Sequence, residues 1–437
     1  MIRTLTVVLY GQPIGVLNLE DDGICAFQYL PEFCEKGIKP APLMMPTAPD
    51  RIYKFPALGK DTFNGLPGMI ADSLPDSFGQ ALLNQWLAAQ GKSSEEANAI
   101  EKLSFQGNRC MGALEYVPAR ELRLNESSKI EIDALVNTAQ RALSTKEQFQ
   151  SCLREEEKAI MDILKIGTSA GGQRAKAIIA VNDKTKEIRS GQVKAPAGFD
   201  YWILKFDGFD SEGKPVPPAS FGRREYAFYK CVTAAGIEMT ECRLLEESGR
   251  AHFMTRRFDR RGGEKIHMQT LCAISHFDFR RPGAYSYEQA FATMRRLGLG
   301  YNAQKEFFRR VVFNILCVNM DDHTKNISFL MDPEGRWSLS PAYDMGFCYN
   351  PSGQWANAHQ MTIAGKRDGI TRKDLLELAE KNDIRDAAGV IEQVEDAVSL
   401  FSTFAADARV PEDEAKFIMR FIDEKRREMV GKAFTVK

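Results

Sequence analysis

The stretch that indicates the fold most clearly is Asn319-Met320-Asp321-Asp322-His323-Thr324-Lys325-Asn326-Ile327. It follows RRVVFNILCVN, an apolar run that we predict to be helical. Protein kinases place a base Asp five residues before a metal-binding Asn, because one loop must reach both the acceptor hydroxyl and a magnesium ion. Asp321 and Asn326 have this spacing. Asp322 lies one residue too close, and we interpret it as support for the loop.

A second acid downstream makes this pattern more specific. An Asp five residues before an Asn often occurs by chance, and such a segment would then be a surface turn. Tyr343-Asp344-Met345-Gly346 follows the strand-like segment WSLSPA. A kinase needs such an acid, after a strand, to hold magnesium on the nucleotide phosphates. The two elements together predict Asp321 as the catalytic base, with Asn326 and Asp344 as metal ligands.

A glycine-rich segment lies between two predicted strands, at residues 167–176. Small side chains allow backbone N–H groups to approach phosphate oxygens closely. The segment lacks the GxxxxGK[ST] signature of a Walker A loop, and a tight hairpin remains the alternative. The residues that we predict to contact the nucleotide here are Ala170, Gly171, Gly172, Gln173, Arg174 and Ala175.

Lys205 is near the end of the apolar strand Trp202-Ile203-Leu204-Lys205-Phe206. Kinases use a lysine in this position to contact phosphates and to pair with a glutamate on a helix. Glu225 lies on the next predicted helix and is the expected partner, although a solvated surface glutamate is the alternative. We predict Asp321, Lys205 and Glu225 as the catalytic group.

The segment Thr255 to Arg261 is dense in arginine. It has two interpretations: a patch for nucleic acid or an acidic partner, or a crossover between lobes where Arg–Asp pairs fix the geometry. The second is favoured because the segment falls where predicted strands give way to helices. Arg256, Arg257 and Phe258 are then expected to line the adenine side of the nucleotide site.

Composition limits the remaining possibilities. The chain has 437 residues and a net charge of −1, so it has room for about two or three domains and has no global basic field. The N-terminal apolar stretch is too short and interrupted for a signal peptide or membrane span. It predicts a hairpin with Gly11-Gln12-Pro13 at the turn. Nine scattered cysteines without a C-x-x-C pair favour a cytoplasmic protein with reduced thiols and no structural zinc.

The order of predicted elements indicates an α+β protein with two kinase-like lobes and a small N-terminal domain. A β-rich domain is predicted for residues 1–118. A kinase N-lobe with the glycine-rich loop follows at 119–258, and a helical C-lobe at 259–437. A cleft between two lobes is where a ligand would be expected to bind.

Several of these motifs, in this order, resemble the HipA family of bacterial toxin kinases, and the resemblance extends over nearly the whole chain. The motifs that carry it are Asp72-Ser73-Leu74-Pro75-Asp76-Ser77, Gly107-Asn108-Arg109-Cys110-Met111-Gly112-Ala113, Thr168-Ser169-Ala170-Gly171-Gly172-Gln173, Arg257-Phe258-Asp259-Arg260, Asp321-Asp322-His323-Thr324-Lys325-Asn326 and Tyr343-Asp344. The resemblance adds His323, Lys325 and Tyr343 to Asn326 and Asp344 as residues of the nucleotide site.

The resemblance implies a kinase-like fold, ATP and Mg²⁺ as cofactors, and phosphorylation of a protein serine or threonine. Aminoacyl-tRNA synthetases are the targets it implies. It also implies autophosphorylation in the glycine-rich loop, where Thr168 occupies the position of the modified serine and Ser169 lies beside it. A small helix-turn-helix, HipB-like antitoxin is the implied partner, with indirect association to operator DNA and none to a membrane.

Two other functions remain open from the sequence. The same machinery could act on a small molecule or lipid, which a deep, closed acceptor pocket would favour. Alternatively, the protein could be a DNA-associated regulator with a vestigial kinase core. The presence of both Asp321 and Asp344, and a net charge near zero, argue against that second alternative.

Overall fold

The computed structural model describes residues 2–75, 79–80, 83–84, 98–119, 129–133, 136, 174–209 and 220–429. The chain divides into two units. Unit 1 consists of Met1–Gly222, Glu241–Gln269 and Leu330–Arg336. Unit 2 consists of Arg223–Thr240, Thr270–Phe329 and Trp337–Lys437. The finer division into three domains, with boundaries at 118 and 258, stays a prediction.

Unit 1 begins with a five-stranded antiparallel sheet of order β4-β3-β2-β1-β5. Its strands are β1 Thr4–Leu9, β2 Gln12–Leu19, β3 Cys25–Tyr29, β4 Ile52–Tyr53 and β5 Leu114–Val117. Along β1, Leu5, Val7 and Leu9 alternate with more exposed residues and are almost fully buried. One face of the sheet therefore packs inward. The short helices α1 Pro31–Cys34, α2 Lys60–Phe63, α3 Gly68–Ala71 and α4 Ala99–Gln106 accompany it within the described ranges.

A second five-stranded antiparallel sheet of unit 1 has the order β7-β6-β8-β10-β9. Its strands are β6 Lys176–Asn182, β7 Glu187–Ser190, β8 Asp200–Lys205, β9 Cys242–Glu247 and β10 Arg250–Arg256. Strand β6 reads KAIIAVN and is buried along nearly its whole length. Continuous burial fits its central position, since both faces of an inner strand can be covered. Two short strands follow, β11 Arg260–Arg261 and β12 Glu264–Lys265.

Unit 2 is mainly helical. Its helices are α5 Phe221–Ala234, which begins in the last residues of unit 1, α6 Leu271–Ser275, α7 Tyr287–Arg296, α8 Tyr301–Leu316, α9 Arg372–Lys381, α10 Ala387–Ser399, α11 Phe401–Asp407 and α12 Glu412–Met429. Helix α8 is its core, because the side chains from Phe307 to Leu316 are mostly buried and α8 packs against α10 and α12. The strands β13 His267–Thr270, β14 Ser328–Met331 and β15 Trp337–Leu339 lie near the points where the chain passes between the units.

The structure confirms the α+β class, with a β-rich N-terminal region and a helical C-terminal part. It also confirms the N-terminal hairpin with Gly11 in its turn, but the prediction that Gln12 and Pro13 belong to the turn is wrong. The turn residues are Tyr10 and Gly11, which have φ of 51° and 74°, while Gln12 and Pro13 already belong to β2. Two consecutive positive φ angles are typical of a type I′ turn. Within the described ranges, no helix is both long and apolar enough to span a bilayer.

Candidate active site

The loop that carries the two acids begins where α8 ends. Helix α8 finishes at Leu316, and Val318 then adopts a left-handed backbone conformation with a φ of 57°. The backbone N–H of Asn319 donates to the carbonyl of Asn314, 2.9 Å away. The chain therefore leaves the helix at a fixed point, and the following residues form a loop on the buried end of α8.

The Asn319 side chain links the two acidic loops. Its Oδ1 accepts a hydrogen bond from the Asp321 backbone N–H at 3.3 Å. Its Nδ2 donates to Asn314 Oδ1 at 2.9 Å and to the carbonyl oxygen of Asp344 at 3.4 Å. Because one amide contacts the backbone of both Asp321 and Asp344, it holds the predicted base and the predicted metal ligand near each other.

Asn326 closes the other end of the first loop. Residues Thr324–Asn326 form a single 3₁₀ turn. Asn326 Nδ2 donates to the carbonyl oxygen of Asp321 at 2.8 Å, across the predicted five-residue spacing. Thr324 Oγ1 donates to the Phe277 carbonyl at 2.7 Å, which ties the turn to a neighbouring loop. The amide nitrogen of Asn326 is thus occupied, and its carbonyl oxygen remains as a potential metal ligand.

The carboxyl group of Asp321 is half-buried among aromatic side chains. Trp355 Nε1 donates a hydrogen bond to its Oδ1, and His323 Nε2 lies 3.8 Å from the same oxygen. Burial raises the pKa of Asp321, the charge of His323 and the bond from Trp355 lower it, and the negative charges of Asp344 and Asp322 raise it further. Raised pKa values of this kind are frequent for catalytic acids and bases.

Asp322 has a structural role, as its position in the motif predicted. Its side chain is only 1% exposed. Oδ2 accepts hydrogen bonds from the Tyr287 hydroxyl at 2.7 Å and from His359 Nδ1 at 3.0 Å. Oδ1 accepts from the Gln360 backbone N–H at 2.6 Å. Every one of these donors lies on another segment of unit 2, so Asp322 anchors the loop and is not available to a substrate.

Asp344 lies in an exposed position on the second loop. Its φ is 51°, a left-handed conformation that costs a residue other than glycine some backbone energy and is common at functional sites. The preceding residue, Tyr343, donates its hydroxyl hydrogen to the Lys325 carbonyl at 2.6 Å. Its hydroxyl also bonds to Ser328 Oγ. Tyr343 therefore fastens the loop of Asp344 to the loop of Asp321.

The oxygen atoms of Asn326 and Asp344 suit a hard cation such as Mg²⁺. Magnesium prefers oxygen ligands and usually takes one or two protein carboxylates, with phosphates and water filling the remaining positions. The described residues contain no group of three or more His, Cys, Asp or Glu side chains that could hold a metal ion by themselves. A site with two protein ligands that is completed by a nucleotide agrees with both facts.

Unit 1 carries the predicted phosphate-contacting lysine. Lys205, in β8, is half-buried, and its Nζ is 5.7 Å from the ring centroid of Phe253. Its cross-strand neighbour is Lys176 of β6, a buried residue directly opposite in the register. Side chains paired in this way lie on the same face of a sheet. The pair therefore brings two lysine side chains to one face of the sheet. The sequence interpretation named Lys176 within the loop motif but did not place it beside Lys205.

The structure describes some of the remaining residues that were predicted to bind the nucleotide, but not all of them. Arg174 stacks over Phe221, with its Cζ atom 3.9 Å from the ring centroid, and Ala175 is fully buried. Thr168, Ser169 and residues 170–173 lie outside the described residues. Lys205 belongs to unit 1 and Glu225, on α5, belongs to unit 2, and their pairing stays a prediction.

The arginine-rich segment contains Arg–Asp pairs of the kind that the favoured interpretation included. Its interpretation as a crossover between lobes stays a prediction. Arg257 is buried and donates twice to Asp259, at 2.8 and 2.7 Å. Arg260 donates to the same carboxylate at 2.8 Å. Arg256 is exposed and pairs with Asp200, and Phe258 is half-buried. Because the Arg257 guanidinium is committed to Asp259, its predicted nucleotide contact could involve only its backbone. The contacts of Arg256 and Phe258 with adenine stay predictions.

Several residues of the site could not be found from the motif. Trp355, His359 and Gln360 lie on a segment well beyond Asp344, yet they contact Asp321 or Asp322 directly. Gln360 Nε2 also donates to the carbonyl of Met320 at 3.0 Å. The sequence contains no periodic signal for these contacts, because they depend on how the loop after Asp344 folds back.

Comparison with known proteins supports the same fold. A family model for the HipA N-terminal domain matches residues 5–117, and a model for the HipA-like C-terminal domain matches residues 168–401. Among solved structures, HipA of Shewanella oneidensis MR-1, in a complex with HipB and operator DNA, is similar with a TM-score of 0.67. It is 18% identical, and the match covers 99% of this chain and 100% of that one.

A second solved structure is the Helicobacter pylori proinflammatory kinase CtkA, which is 14% identical with a TM-score of 0.36, too low to support an argument. That match covers 53% of this chain and 89% of the other. No curated protein sequence matches the chain. The two family models together span most of the sequence, and they determine the family of the chain. The chain belongs to the HipA family.

Proposed function

We propose that the protein is an ATP- and magnesium-dependent kinase that phosphorylates serine or threonine in a protein. The observation that carries the proposal is the arrangement of Asp321, Asn326 and Asp344 on two loops of unit 2. Asn326 contacts the Asp321 backbone, and Asn319 contacts the backbone of both acids. Burial raises the pKa of Asp321, and the charge of Asp344 adds to this effect. One base with two oxygen ligands for a cation is the minimal equipment for phosphoryl transfer.

In the proposed reaction, Asp321 accepts a hydrogen bond from the substrate hydroxyl and then its proton. The hydroxyl oxygen forms a bond to the γ-phosphorus as the bond from that phosphorus to the β–γ bridging oxygen breaks, and ADP leaves. Asn326 and Asp344 would hold Mg²⁺, which when bound neutralises phosphate charge. The protein contributes mainly by positioning these groups, because phosphoryl transfer requires little covalent chemistry from it.

Lysine side chains are the cationic groups that we propose for the nucleotide site. Lys325 is half-buried and its Nζ lies 4.8 Å from the ring centroid of Phe279, so its position is restricted. In unit 1, Lys176 and Lys205 share one face of the second sheet. We assign the phosphates of ATP to these lysines, since each would offset negative charge on the nucleotide.

Autophosphorylation of Thr168 or Ser169 is part of the proposal. Both lie in the glycine-rich segment, which must approach the γ-phosphate if it covers the nucleotide. A phosphate adds a charge of about −1.5 to −2. A phosphorylated loop would repel the triphosphate and could not cover it, so the modification would limit the activity of the kinase.

A toxin–antitoxin context is the proposed biological setting. The Shewanella HipA structure contains HipB and operator DNA. By analogy, we propose a HipB-like antitoxin as the partner and operator DNA as an indirect one. A protein substrate, with aminoacyl-tRNA synthetases as the first candidates, completes this proposal.

Incubation of the purified protein with labelled ATP and Mg²⁺ tests the proposed function. Intact-mass measurement should find added phosphate on the chain, and peptide mapping should locate it at Thr168 or Ser169. An Asp321→Asn variant treated in parallel should remain unmodified. Transfer to lipids or small metabolites, with none to any protein, would favour the small-molecule alternative. Absence of ATP binding and of any transfer would favour the vestigial core.

A further inference from the structure

The loop after Asp344 places an indole directly against the catalytic carboxylate. This loop is closed on itself, because the backbone N–H of Asn350 donates to the Ala356 carbonyl at 2.8 Å. Trp355 therefore has a defined position next to the closing bond. Its own carbonyl oxygen accepts from Gln360 Nε2 at 2.7 Å. Gln360 Nε2 also donates a hydrogen bond to the Met320 carbonyl, so the same side chain connects the tryptophan to the catalytic loop.

The ring of Trp355 is held from several sides. Its centroid is 6.1 Å from that of Phe279 and 6.1 Å from that of His323, both in edge contacts. It also packs against a small cluster formed by Val318, Met320 and Ala356. These contacts restrict rotation of the indole, so the direction of its N–H group is set by packing and not only by the hydrogen bond.

The two oxygens of Asp321 have different surroundings. Oδ1 accepts the indole hydrogen of Trp355 and has the His323 ring nearby. No group among the described residues donates a hydrogen bond to Oδ2. A carboxylate with one oxygen held and the other open presents a single acceptor in a fixed orientation. A substrate hydroxyl must meet a base in such an orientation for efficient transfer.

We infer that Trp355 is a positioning residue for phosphoryl transfer: its indole N–H fixes Asp321 so that Oδ2 receives the acceptor hydroxyl. The inference rests on the proposed kinase function, because Asp321 is the base in that reaction. Trp355 contacts no reacting atom. Its effect reaches the reaction only through the orientation of the carboxylate, so it should alter turnover and leave nucleotide binding unchanged.

The kinetic test uses Trp355→Phe, which keeps an aromatic ring and removes the N–H donor. With Mg-ATP as the donor and either the chain itself or casein as the acceptor, kcat should fall roughly 10- to 100-fold, the usual effect of losing a hydrogen bond to a charged group. The dissociation constant of Mg-ATP should stay as in the wild type. Trp337→Phe is the matched control, since Trp337 lies in β15 and should tolerate the change.

A sterically equivalent replacement separates the hydrogen bond from packing. β-(3-Benzothienyl)alanine at position 355 has the shape of tryptophan with sulfur in place of N–H. It should lower kcat as Trp355→Phe does. Wild-type kcat in this variant would overturn the inference. So would a higher kcat, because the indole would then be blocking the base, and so would a parallel loss of Mg-ATP affinity, which would indicate a structural role.

A spectroscopic test does not depend on turnover. The chain has four tryptophans, so ¹⁵N-indole labelling gives up to four N–H signals, and Trp355→Phe identifies the one from Trp355. In Asp321→Ala this signal should move strongly, while the other three stay in place. An unmoved signal would show that the bond is not formed. If the wild type transfers no phosphate at all, the proposed function fails, and the indole signal still decides whether Trp355 holds Asp321.

Discussion

At the scale of residues, two adjacent carboxyl groups differ because their surroundings differ. Asp321 is half-buried and receives one side-chain hydrogen bond, from Trp355. Asp322 is buried and receives three hydrogen bonds from other segments. The first therefore keeps an oxygen available for chemistry, whereas the second stabilises the loop. Substitutions at the two positions should separate activity from stability.

Asp322→Ala should destabilise unit 2 by about 3 kcal/mol or more, because it leaves the Tyr287 hydroxyl and the Gln360 N–H buried without their acceptor. Asp321→Asn should change stability by less than about 1 kcal/mol, since an amide oxygen can still accept from Trp355. Urea unfolding of the two variants measures both changes in stability. Equal stability of the two variants would contradict the assignment of Asp322 as the anchor.

Asp344→Ala should weaken binding of Mg-ATP by about tenfold or more, because a carboxylate ligand is lost beside the phosphates. Binding of ATP without metal should change little or even improve, since a negative charge has been removed. Calorimetry with and without Mg²⁺ distinguishes the two effects. An equal change in both titrations would mean that Asp344 acts on the nucleotide and not on the metal.

The sequence predicted the parts of the site that lie close together along the chain. Asp321 and Asn326 belong to one loop, and their five-residue spacing is a local property that a motif can express. Trp355 is 34 residues from Asp321, and its contact depends on the path of a closed loop that has no motif of its own. The loop that joins Asp321 to Asn326 was therefore predictable from the sequence, whereas the contact between Trp355 and Asp321 was not.

At the scale of elements, the strands were predicted better than the turns, because apolar residues in alternating positions or in continuous runs indicate strands. Strand β6, KAIIAVN, lies where a strand was predicted to follow the glycine-rich segment. Strand β8, DYWILK, overlaps the apolar strand predicted from Trp202 to Phe206. The first hairpin turn was misplaced because Gly-Gln-Pro is typical of turns. In the structure Pro13 faces Val8 next to an irregularity in the β1–β2 pairing, where a proline is tolerated within a strand.

The second residue of helix α5, Gly222, is packed against strand β10. A Cβ atom on Gly222 would lie 2.0 Å from the Ala251 carbonyl oxygen and 3.1 Å from the Phe253 nitrogen, both backbone atoms of β10. Gly222→Ala should therefore lower stability by about 2 kcal/mol or more. Gly300→Ser, where a Cβ would have nothing within 4 Å, is the control. The denaturant midpoints of unfolding measure the stability of both variants. A midpoint of Gly222→Ala equal to that of the wild type would contradict the close packing of Gly222 against β10.

At the scale of the whole molecule, buried histidines link stability to pH. His252 Nδ1 accepts from the Asp207 N–H at 2.9 Å, and its buried Nε2 has no partner among the described residues. Burial lowers the pKa of His252, and likewise that of His267, from 6.5 to about 4. Both histidines are thus neutral in the folded protein over a pH range where the unfolded chain takes up protons.

The fold should consequently lose stability as pH falls from 6.5 towards 4, and little further loss from these two groups should follow below 4. The loss is on the order of 2 kcal/mol for each histidine between pH 6.5 and 5. Thermal unfolding at pH 7 and at pH 5 measures it, and His267→Gln should reduce the difference. A melting temperature that is the same at both pH values would contradict this account.

The most direct test of the central claim compares the wild type with Asp321→Asn in single-turnover phosphoryl transfer from Mg-ATP, alongside the dissociation constant of Mg-ATP. The substitution keeps the shape of the side chain and removes the ability to accept a proton. We expect transfer to fall by about 10²-fold or more, while nucleotide affinity and the unfolding midpoint stay close to those of the wild type. Transfer within about tenfold of the wild type would show that Asp321 is not the base.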